Sequence, residues 1–377
     1  MPKNGLVETT LDYLLSLKGF VIMGRDSEFN RQKDRSYRIK LEELKKSLPT
    51  YTYEFLDSRA QRNPNTAVSY AYDMITFLEY LKEFCPPAKN YDIKDIPADI
   101  LDNLSFQDIN EYQKYLSARD VSVIGEKDLQ NDISGIARKM SALRSFYKYQ
   151  CQHDFLTKDP TVGANKQSRK DDDHVIIRLT PSEVDTFLTT IKNCEVGSER
   201  QQKILQNTRY RDLAILTLLL RTGIRVSECV SLDLSDINFK EMSMCVVRKG
   251  HKEHILYFDD VVEDALMDYI QFERPKYIES DKEKALFLSN RKKRLAVRSI
   301  QEMVDKYAKV AVSNKKISPH KMRSTYGTAL YNKTGDIRLV ADVLGHSDIN
   351  TTAKHYAASE DAHRRMAAKI DPYSTEE

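Results

Sequence analysis

The chain has 377 residues, of which 59 are Lys or Arg and 56 are Asp or Glu, so its formal net charge is only +3. That length suits two domains, and the near-neutral charge with 12 glycines and 11 prolines excludes a uniformly basic, fibrous or low-complexity protein. The longest apolar run has eight residues, and the N-terminus lacks a signal-peptide pattern. The five cysteines form no CxxC pair. These features predict a cytoplasmic protein that does not engage a membrane.

Helical periodicity dominates the first 160 residues. A helix is predicted over residues 51–59, a second is capped by Asn65, and Ser105 with Asp108 forms a capping-box-like start for a third. The clearest pattern runs from residue 133, with apolar residues on one face and basic residues elsewhere. We therefore predict a helical bundle over residues 44–163, preceded by an N-terminal extension or accessory segment, residues 1–43.

A second domain follows a polar linker. Residues 164–178 lack periodicity, and Thr180 or Ser182 can cap the first helix of a domain spanning residues 179–377. Strands at 244–247 and 255–258 flank a Lys-Gly turn and predict one hairpin, after which the chain is predicted to be helical. The fold class is therefore mainly α with a small antiparallel β-sheet.

Arg225 follows an apolar helix and a glycine, in the segment TGIRVSE. Gly223 permits a sharp break, so Arg225 would open the next helix, close to N-terminal amides that suit an anion. The alternative is a surface arginine that forms an ion pair with Glu228, one turn further on.

Two further segments carry groups suited to acid–base and phosphate chemistry. Lys249, in the hairpin turn, is either a movable ammonium that can deliver a proton or an ordinary solvated lysine. Ser318 and Pro319 begin a helix that brings His320 and Arg323 one turn apart. That pair combines a proton-transfer group with a bidentate phosphate clamp, although a capping or core histidine is the alternative.

The last two candidates lie near the C-terminus. Gly345 fits the C-cap of a helix that starts at Asp336, which leaves His346 exposed at a helix junction. Tyr356 follows ten residues later on a predicted short helix, where a nucleophile can be delivered, although a packing role is the ordinary alternative.

In this order, the motifs TGIRVSE, RKG, HKMR and LGH and a late tyrosine resemble the tyrosine recombinase (phage integrase/Xer) family. The resemblance covers the second domain and extends to the bundle, which is similar to the family's SAM-like core-binding domain. It is strongest to the single-recombinase Xer proteins of Gram-positive bacteria. The resemblance implies a catalytic domain with the DNA breaking-rejoining fold and site-specific recombination through a Holliday junction.

The resemblance also implies a role for each motif residue. Tyr356 would attack a DNA phosphodiester and form a 3′-phosphotyrosine link, while Arg225 and Arg323 would hold the nonbridging oxygens. Because one phosphodiester is exchanged for another, no cofactor is required. The histidines are dispersed and no Cys/His/Asp cluster has ligand spacing, so no metal site is predicted.

The proton-transfer roles fall to three residues by the same resemblance. Lys249 would protonate the departing 5′-oxygen, His320 would assist proton movement at the tyrosine, and His346 would donate a hydrogen bond to the phosphate. Neighbours that could take over these roles are Lys252, His251, His254 and His355. The ten-residue interval from His346 to the tyrosine is one longer than in the simplest Xer proteins.

Double-stranded DNA at specific sites is the expected partner, and basic side chains on both domains are the candidates for contacting it. On the bundle's long helix they are Arg138, Lys139, Arg144 and Lys148; in the second domain they are Arg291, Lys292, Lys293, Arg294 and Arg298. Residues 286–323 hold eleven basic and two acidic residues, so positive charge is concentrated beside His320 and Arg323. Contacts to phosphates would make binding depend strongly on salt.

The assembly and the biological role are further expectations. Residues 359–370 are predicted to form a terminal helix. The resemblance implies that this helix docks on a neighbouring protomer, giving a homo-tetramer on paired sites, and that an accessory DNA-bending or directionality protein is a further partner. The Xer-like segments favour chromosome-dimer resolution, whereas the N-terminal segment favours integration or excision of a mobile element. The alternatives are a catalytically inactive DNA-binding protein and a type IB topoisomerase-like enzyme.

Overall fold

The computed structural model describes residues 28–118, 120–121, 129–130, 133–165, 177–248, 252–280, 283–346 and 349–352. These residues form two compact units, a helical unit within residues 28–165 and a second unit within residues 177–352. Most of the predicted linker, 164–178, lies outside the described residues. No helix within the described ranges is both long and apolar enough to cross a membrane.

The described residues of the first unit form six α-helices and one two-stranded ribbon. They are α1 (Glu28–Lys45), α2 (Tyr53–Arg62), α3 (Pro64–Phe84), α4 (Ala98–Asp102), α5 (Phe106–Ala118), β1 (Asp120–Val121), β2 (Leu129–Gln130) and α6 (Ile133–Gln152). Helix α3 packs against α1, α2 and α6 around a core rich in aromatic side chains. The predicted boundary at residue 44 falls inside α1, so the described part of the N-terminal segment packs on the bundle.

The helix starts follow local side-chain chemistry. Helix α3 is capped by Asn63, whose side chain accepts from the N–H of Thr66 at 3.2 Å, and the prediction of Asn65 as the cap was wrong. Pro64 occupies the first helical position, which suits its missing N–H and fixes the cap one residue earlier. The predicted pairing of Ser105 with Asp108 is confirmed, with the Ser105 N–H 2.8 Å from the Asp108 carboxylate.

The second unit is built around a helix that is buried on nearly all sides. Its elements are α7 (Pro181–Lys192), α8 (Glu199–Gln206), α9 (Arg209–Thr222), α10 (Val226–Ser231), β3 (Ile237–Asn238), β4 (Ser243–Arg248), β5 (Lys252–Tyr257), α11 (Asp260–Asp268), α12 (Val297–Ala311), α13 (Pro319–Thr334), α14 (Ile337–Leu344) and α15 (Ile349–Thr352). Helix α9 packs against α7, α11 and α13, which explains its unbroken apolar run. Its C-cap is Gly223, with φ 63°, and Arg225 follows two residues later.

A three-stranded antiparallel sheet in the order β3-β4-β5 supplies the predicted hairpin. Cys245 pairs with Ile255 and Arg248 pairs with Lys252, so the two long strands stay in register to the turn. The prediction that everything after residue 260 is helical was wrong for the described residues 278–280 and 283–296, which are irregular and include two isolated bridges. The Arg274 guanidinium donates to the carbonyls of Glu283, Ala285 and Leu286, so backbone acceptors are satisfied there without a helix.

A buried carboxylate holds the start of α9. One oxygen of Glu273 accepts from the N–H groups of Tyr210 at 2.9 Å and Arg211 at 3.2 Å. Glu273 is fully buried, and burial raises its pKa to about 7. Its other oxygen has no hydrogen-bond partner. The helix that leads to Arg225 is therefore capped by an acid that titrates near neutral pH.

Candidate active site

The C-terminal end of α14 and its C-cap present three successive backbone carbonyls to side chains from elsewhere in the unit. Helix α14 begins at Asp336, whose side chain accepts from the N–H groups of Arg338 and Leu339, as the sequence predicted. It ends at Gly345, with φ 62°. The last carbonyls of a helix lack intrahelical partners and carry the negative end of its dipole, so cationic donors are stabilised there.

Three arginines donate to these carbonyls. Arg248 Nη2 lies 3.1 Å from the oxygen of Val343, Arg323 Nη2 donates to the oxygen of Leu344, and Arg225 Nη2 lies 3.1 Å from the oxygen of Gly345. The arginines come from the end of β4, the second turn of α13 and the N-cap of α10. Residues far apart in sequence are thereby brought to one turn, immediately before His346.

Arg323 also joins the ends of two helices. Its side chain is buried, and Nη1 donates to the carbonyl of Gly223 while Nη2 holds the end of α14. A Cβ on Gly223 would lie 2.6 Å from Tyr326 Cδ1 and 2.8 Å from Leu344 Cδ2. Glycine is therefore required at this position for both its positive φ and its close packing.

Arg225 forms the ion pair that its sequence context offered and a second contact that was not predicted. Its Nη1 lies 2.7 Å from Glu228 Oε1, which is the predicted local ion pair, and its Nη2 reaches Gly345. Its side chain is 38% exposed, whereas that of Glu228 is 5% exposed. A buried carboxylate thus holds the guanidinium in place while part of its surface stays accessible to an anion.

Arg248 and Glu228 join this cluster, although the sequence did not single out either as a site residue. Arg248 Nε lies 3.7 Å from Glu228 Oε1, and the Arg248 side chain is only 10% exposed. Gly345 lies directly against this guanidinium, because a Cβ there would come within 1.7 Å of Arg248 Nη1. The available signal was an arginine at the end of a strand whose other residues are largely apolar.

The two histidines differ in environment. His346 is half-buried, with Nδ1 2.8 Å from Thr352 Oγ1, so the expectation of an exposed histidine was wrong. The buried hydroxyl of Thr352, on α15, orients the ring. His320 follows the predicted Ser318 cap and Pro319 and is exposed, one turn before the buried Arg323.

Two of the six candidate catalytic residues, Lys249 and Tyr356, lie outside the described residues. The same holds for His251, His355 and the predicted terminal helix over residues 359–370. The hairpin register opposes His254 to Val246, two pairs from the end of the ladder. Among the described residues, no three His, Cys, Asp or Glu side chains are grouped so as to hold a metal ion.

The basic candidates on α6 differ in their partners. Asp73 on α3 is buried, and it forms ion pairs with Arg138 and, at 3.6 Å, with Lys139. The Arg138 side chain is nevertheless 49% exposed. Further along the helix, Arg144 is half-buried and Lys148 is exposed. The first two side chains therefore hold α6 against α3 as well as offering positive charge.

The basic run before α12 divides into exposed and structural residues. Arg291, Lys292 and Lys293 are exposed on a tight turn in which Lys292 has φ 56°. Arg294 instead donates to the carbonyls of Val230 at 3.0 Å and Leu232 at 2.8 Å and forms an ion pair with Asp233.

The contacts of Arg294 with Val230, Leu232 and Asp233 favour a structural role for this arginine over a contact with DNA. Arg298 is exposed and pairs with Glu302 at 2.7 Å within α12. Its partner lies one turn away on the same helix, so this ion pair holds no other element in place.

Comparison with known proteins identifies the family. Residues 178–363 match the phage integrase family. The chain is 34% identical over 327 residues to tyrosine recombinase XerC of Caldanaerobacter subterraneus subsp. tengcongensis, covering 84% of each chain. It is 30% identical over 342 residues to tyrosine recombinase XerS of Streptococcus agalactiae, covering 83% of this chain and 93% of the relative.

Solved structures share the fold. XerH recombinase bound to palindromic difH in a post-cleavage complex matches with a TM-score of 0.60 at 17% identity, over 89% of this chain and 94% of that one. The Tn1549 transposon integrase in complex with transposon right end DNA matches with a TM-score of 0.59 at 20% identity, over 84% and 98%. With the sequence relatives, these matches show that the chain belongs to the phage integrase family of tyrosine recombinases and is a site-specific DNA strand-exchange enzyme that acts through a tyrosine nucleophile.

Proposed function

We propose that Tyr356 is that nucleophile. Its phenolic oxygen forms a bond to the scissile phosphorus, the bond from phosphorus to the 5′-oxygen breaks, and a 3′-phosphotyrosine and a 5′-hydroxyl result. The phenolic proton leaves the tyrosine and a proton is delivered to the 5′-oxygen, so the step balances without a cofactor. A tyrosine has an ordinary pKa of about 10, so a nearby base or phosphate is needed to take its proton.

Arg225 and Arg323 stabilise the charge that grows on the nonbridging oxygens. The observation that carries this proposal is the convergence of both guanidiniums on the carbonyls of Leu344 and Gly345, immediately before His346. Guanidiniums held by fixed acceptors are preorganised, and such donors stabilise a transition state more than flexible ones do. Arg225 is the more accessible of the two and makes the larger share of the initial phosphate contact.

Three residues handle the protons and the remaining phosphate oxygen. Lys249 protonates the 5′-oxygen, His320 assists the departure of the tyrosine proton, and His346 donates to the phosphate. The exposure of His320 and the hydrogen bond between His346 and Thr352 support these roles, because one ring is accessible and the other is oriented. His254 and Lys252 are the alternative proton donors on the hairpin.

DNA binds to both domains. The proposed organisation is a core-binding domain over residues 44–163, a linker over 164–178 and a catalytic domain over 179–377. Residues 1–43 are an N-terminal extension, whose described part belongs to α1 and packs on the bundle. Arg138, Lys139, Arg144 and Lys148 contact the backbone of the duplex from α6. The exposed Arg291, Lys292 and Lys293 do so from the second domain together with Arg298, whereas Arg294 supports the turn that presents them.

The working assembly is a homo-tetramer on two paired sites, held by docking of residues 359–370 on a neighbouring protomer. The biological role is resolution of chromosome dimers, which the Xer names of the relatives favour over integration of a mobile element. An accessory DNA-bending or directionality protein is an additional expected partner, and the protein acts in the cytoplasm.

Covalent capture tests this function directly. The full chain is incubated with sheared genomic DNA from its host, adducts are trapped with detergent, and the attached ends are sequenced. A recurrent site recovered by the wild type, absent for Tyr356→Phe and present for Tyr257→Phe, supports the proposal. Tyr257 is a suitable control because it is exposed on β5.

The recovered site also decides the biological role. One site near the replication terminus supports dimer resolution, whereas a site at the end of a mobile element contradicts it. An adduct that persists in Tyr356→Phe contradicts the assignment of the nucleophile.

A further inference from the structure

Arg248 occupies an unusual position for the last residue of a hairpin strand. Its side chain is only 10% exposed, although charged side chains next to a turn are ordinarily solvated. Its Nη2 donates to Val343, and its guanidinium lies against the backbone of Gly345. The end of β4 is thus held against the turn that follows α14.

This burial is unfavourable in itself. Nε is buried without a hydrogen bond, and its approach to Glu228 Oε1 is long, at 3.7 Å. Burial lowers the pKa of the Arg248 guanidinium, and the nearby charge of Glu228 opposes this shift without cancelling it. An apolar side chain would cover the same surface without desolvating a charge. A role in packing alone therefore does not account for an arginine here.

The contacts of Arg248 link the parts of the site to one another. Glu228 lies between Arg225, at 2.7 Å, and Arg248, at 3.7 Å. Gly345 accepts a hydrogen bond from Arg225 and packs against Arg248, and the next residue is His346. The position of the end of β4 is therefore fixed relative to the first arginine and to the histidine.

We propose that Arg248 is a positioning residue that sets the location of Lys249, the next residue in the chain, relative to the scissile phosphate. The inference rests on the proposed role of Lys249 as the proton donor to the 5′-oxygen. A general acid must come within hydrogen-bond reach of its acceptor, and a displacement of about 1 Å costs on the order of a hundredfold in rate. Arg248 itself stays protonated and gives up no proton in the reaction.

A leaving group that needs no proton tests this role. Suicide duplexes that carry the site recovered by covalent capture are made with either the natural 5′-oxygen or a 5′-sulfur at the scissile phosphate. A thiolate is a far better leaving group than an alkoxide, since a thiol has a pKa of about 8.5. We expect Arg248→Ala to slow cleavage of the oxygen substrate by about 10- to 100-fold and the sulfur substrate by less than about threefold.

Three further variants make the result decisive. Lys249→Ala should behave like Arg248→Ala, and Arg248→Lys, which keeps the charge and one donor, should fall between Arg248→Ala and the wild type. Arg221→Ala is the matched control, because this arginine forms an exposed ion pair with Asp259. It should cleave both substrates at the wild-type rate. Melting temperatures and DNA affinities are measured for all four, so that loss of folding or of binding is recognised.

The outcomes separate the two hypotheses. If Lys249→Ala recovers on the sulfur substrate and neither Arg248 variant does, Arg248 does not act through Lys249 and the inference fails while the proposed function stands. The inference is also overturned if Arg248→Ala lowers the affinity for DNA but leaves the rate of cleavage of bound DNA unchanged. If Lys249→Ala itself does not recover, the assignment of the general acid fails, and the inference fails with it.

Discussion

Arg225 Nη2 lies 3.1 Å from the carbonyl oxygen of Gly345, a residue 120 positions further along the chain. This hydrogen bond joins the start of α10 to the turn that precedes His346. Arg323 donates to the adjacent carbonyl, of Leu344, and also to Gly223. The two arginines are therefore held by the same turn but differ in burial, which predicts different consequences of removing each.

Substitution of the two arginines by glutamine should separate catalysis from stability. Arg225→Gln should reduce the rate of covalent cleavage about a hundredfold or more and lower the melting temperature less than Arg323→Gln does, because the Arg225 side chain is 38% exposed although its partner Glu228 is buried. Arg323→Gln should reduce the rate by a similar factor and also lower the free energy of unfolding by about 2–5 kcal/mol, because two carbonyls lose a buried donor. Single-turnover cleavage and thermal unfolding measure the two effects.

The control for this pair is Arg221→Gln, which removes an exposed guanidinium from the same unit. Arg221→Gln should leave the rate of covalent cleavage and the melting temperature close to those of the wild type. Equal losses of stability in Arg225→Gln and Arg323→Gln would contradict the proposed difference.

Gly345→Ala should be destabilising through its contact with Arg248 as well as through backbone strain. The new Cβ would lie 1.7 Å from Arg248 Nη1, so the guanidinium must move, and φ 62° adds about 1 kcal/mol for a residue with a side chain. Gly335→Ala, at φ 68° on an exposed turn, isolates the strain alone. Thermal unfolding should show a larger loss for Gly345→Ala than for Gly335→Ala.

The contact with Arg248 can be removed to test the same argument. In an Arg248→Ala background, the penalty of Gly345→Ala should fall to about that of Gly335→Ala, because the clashing group is gone. Additive penalties would mean that the cost of Gly345→Ala does not come from this contact.

Sequence patterns predicted the local parts of the fold and a portion of the site. Ser318 and Pro319 begin α13, and Asp336 and Gly345 delimit α14, because caps are specified by one or two residues. Arg248 was missed because its burial depends on Val343 and Gly345, about 95 residues away, which no local pattern reveals. Tertiary contacts also distinguish Arg294, which is structural, from the exposed basic residues 291–293 that precede it, and no local pattern predicts that difference.

The salt dependence of DNA binding should distinguish Lys293 from Arg294. Lys293 is exposed, so Lys293→Ala should reduce the slope of log affinity against log salt by about 0.9, the value for one lost phosphate contact. Arg294→Ala should leave the slope unchanged and lower the melting temperature, because its guanidinium holds Val230, Leu232 and Asp233. Fluorescence anisotropy on the captured site, over a series of salt concentrations, gives the slopes. An equal decrease for Arg294→Ala would assign that arginine to DNA after all.

The stability of the second unit should depend on pH through Glu273. Burial raises the pKa of its carboxyl from 4.5 to about 7, so between these values the folded protein holds a proton that the unfolded chain has released. Its contribution to stability is therefore fully present below about pH 4.5, falls as the pH rises to about 7, and is constant above that.

The loss of stability from pH 4.5 to pH 7 is on the order of 3 kcal/mol. It is measured with the neighbouring charges of Arg211 and Asp212 in place, since both act on the same carboxyl.

Glu273→Gln tests this dependence because a glutamine oxygen can accept the same hydrogen bonds from Tyr210 and Arg211 without titrating. The difference in melting temperature, Glu273→Gln minus wild type, should increase from pH 5 to pH 8, because only the wild type loses stability over this range. The same difference for the exposed control Glu241→Gln should not change with pH. Parallel pH profiles for Glu273→Gln and the wild type would mean that the buried carboxyl is ionised throughout this range. The cap that starts α9, and with it the helix leading to Arg225, would then be a permanent charge held by Arg211.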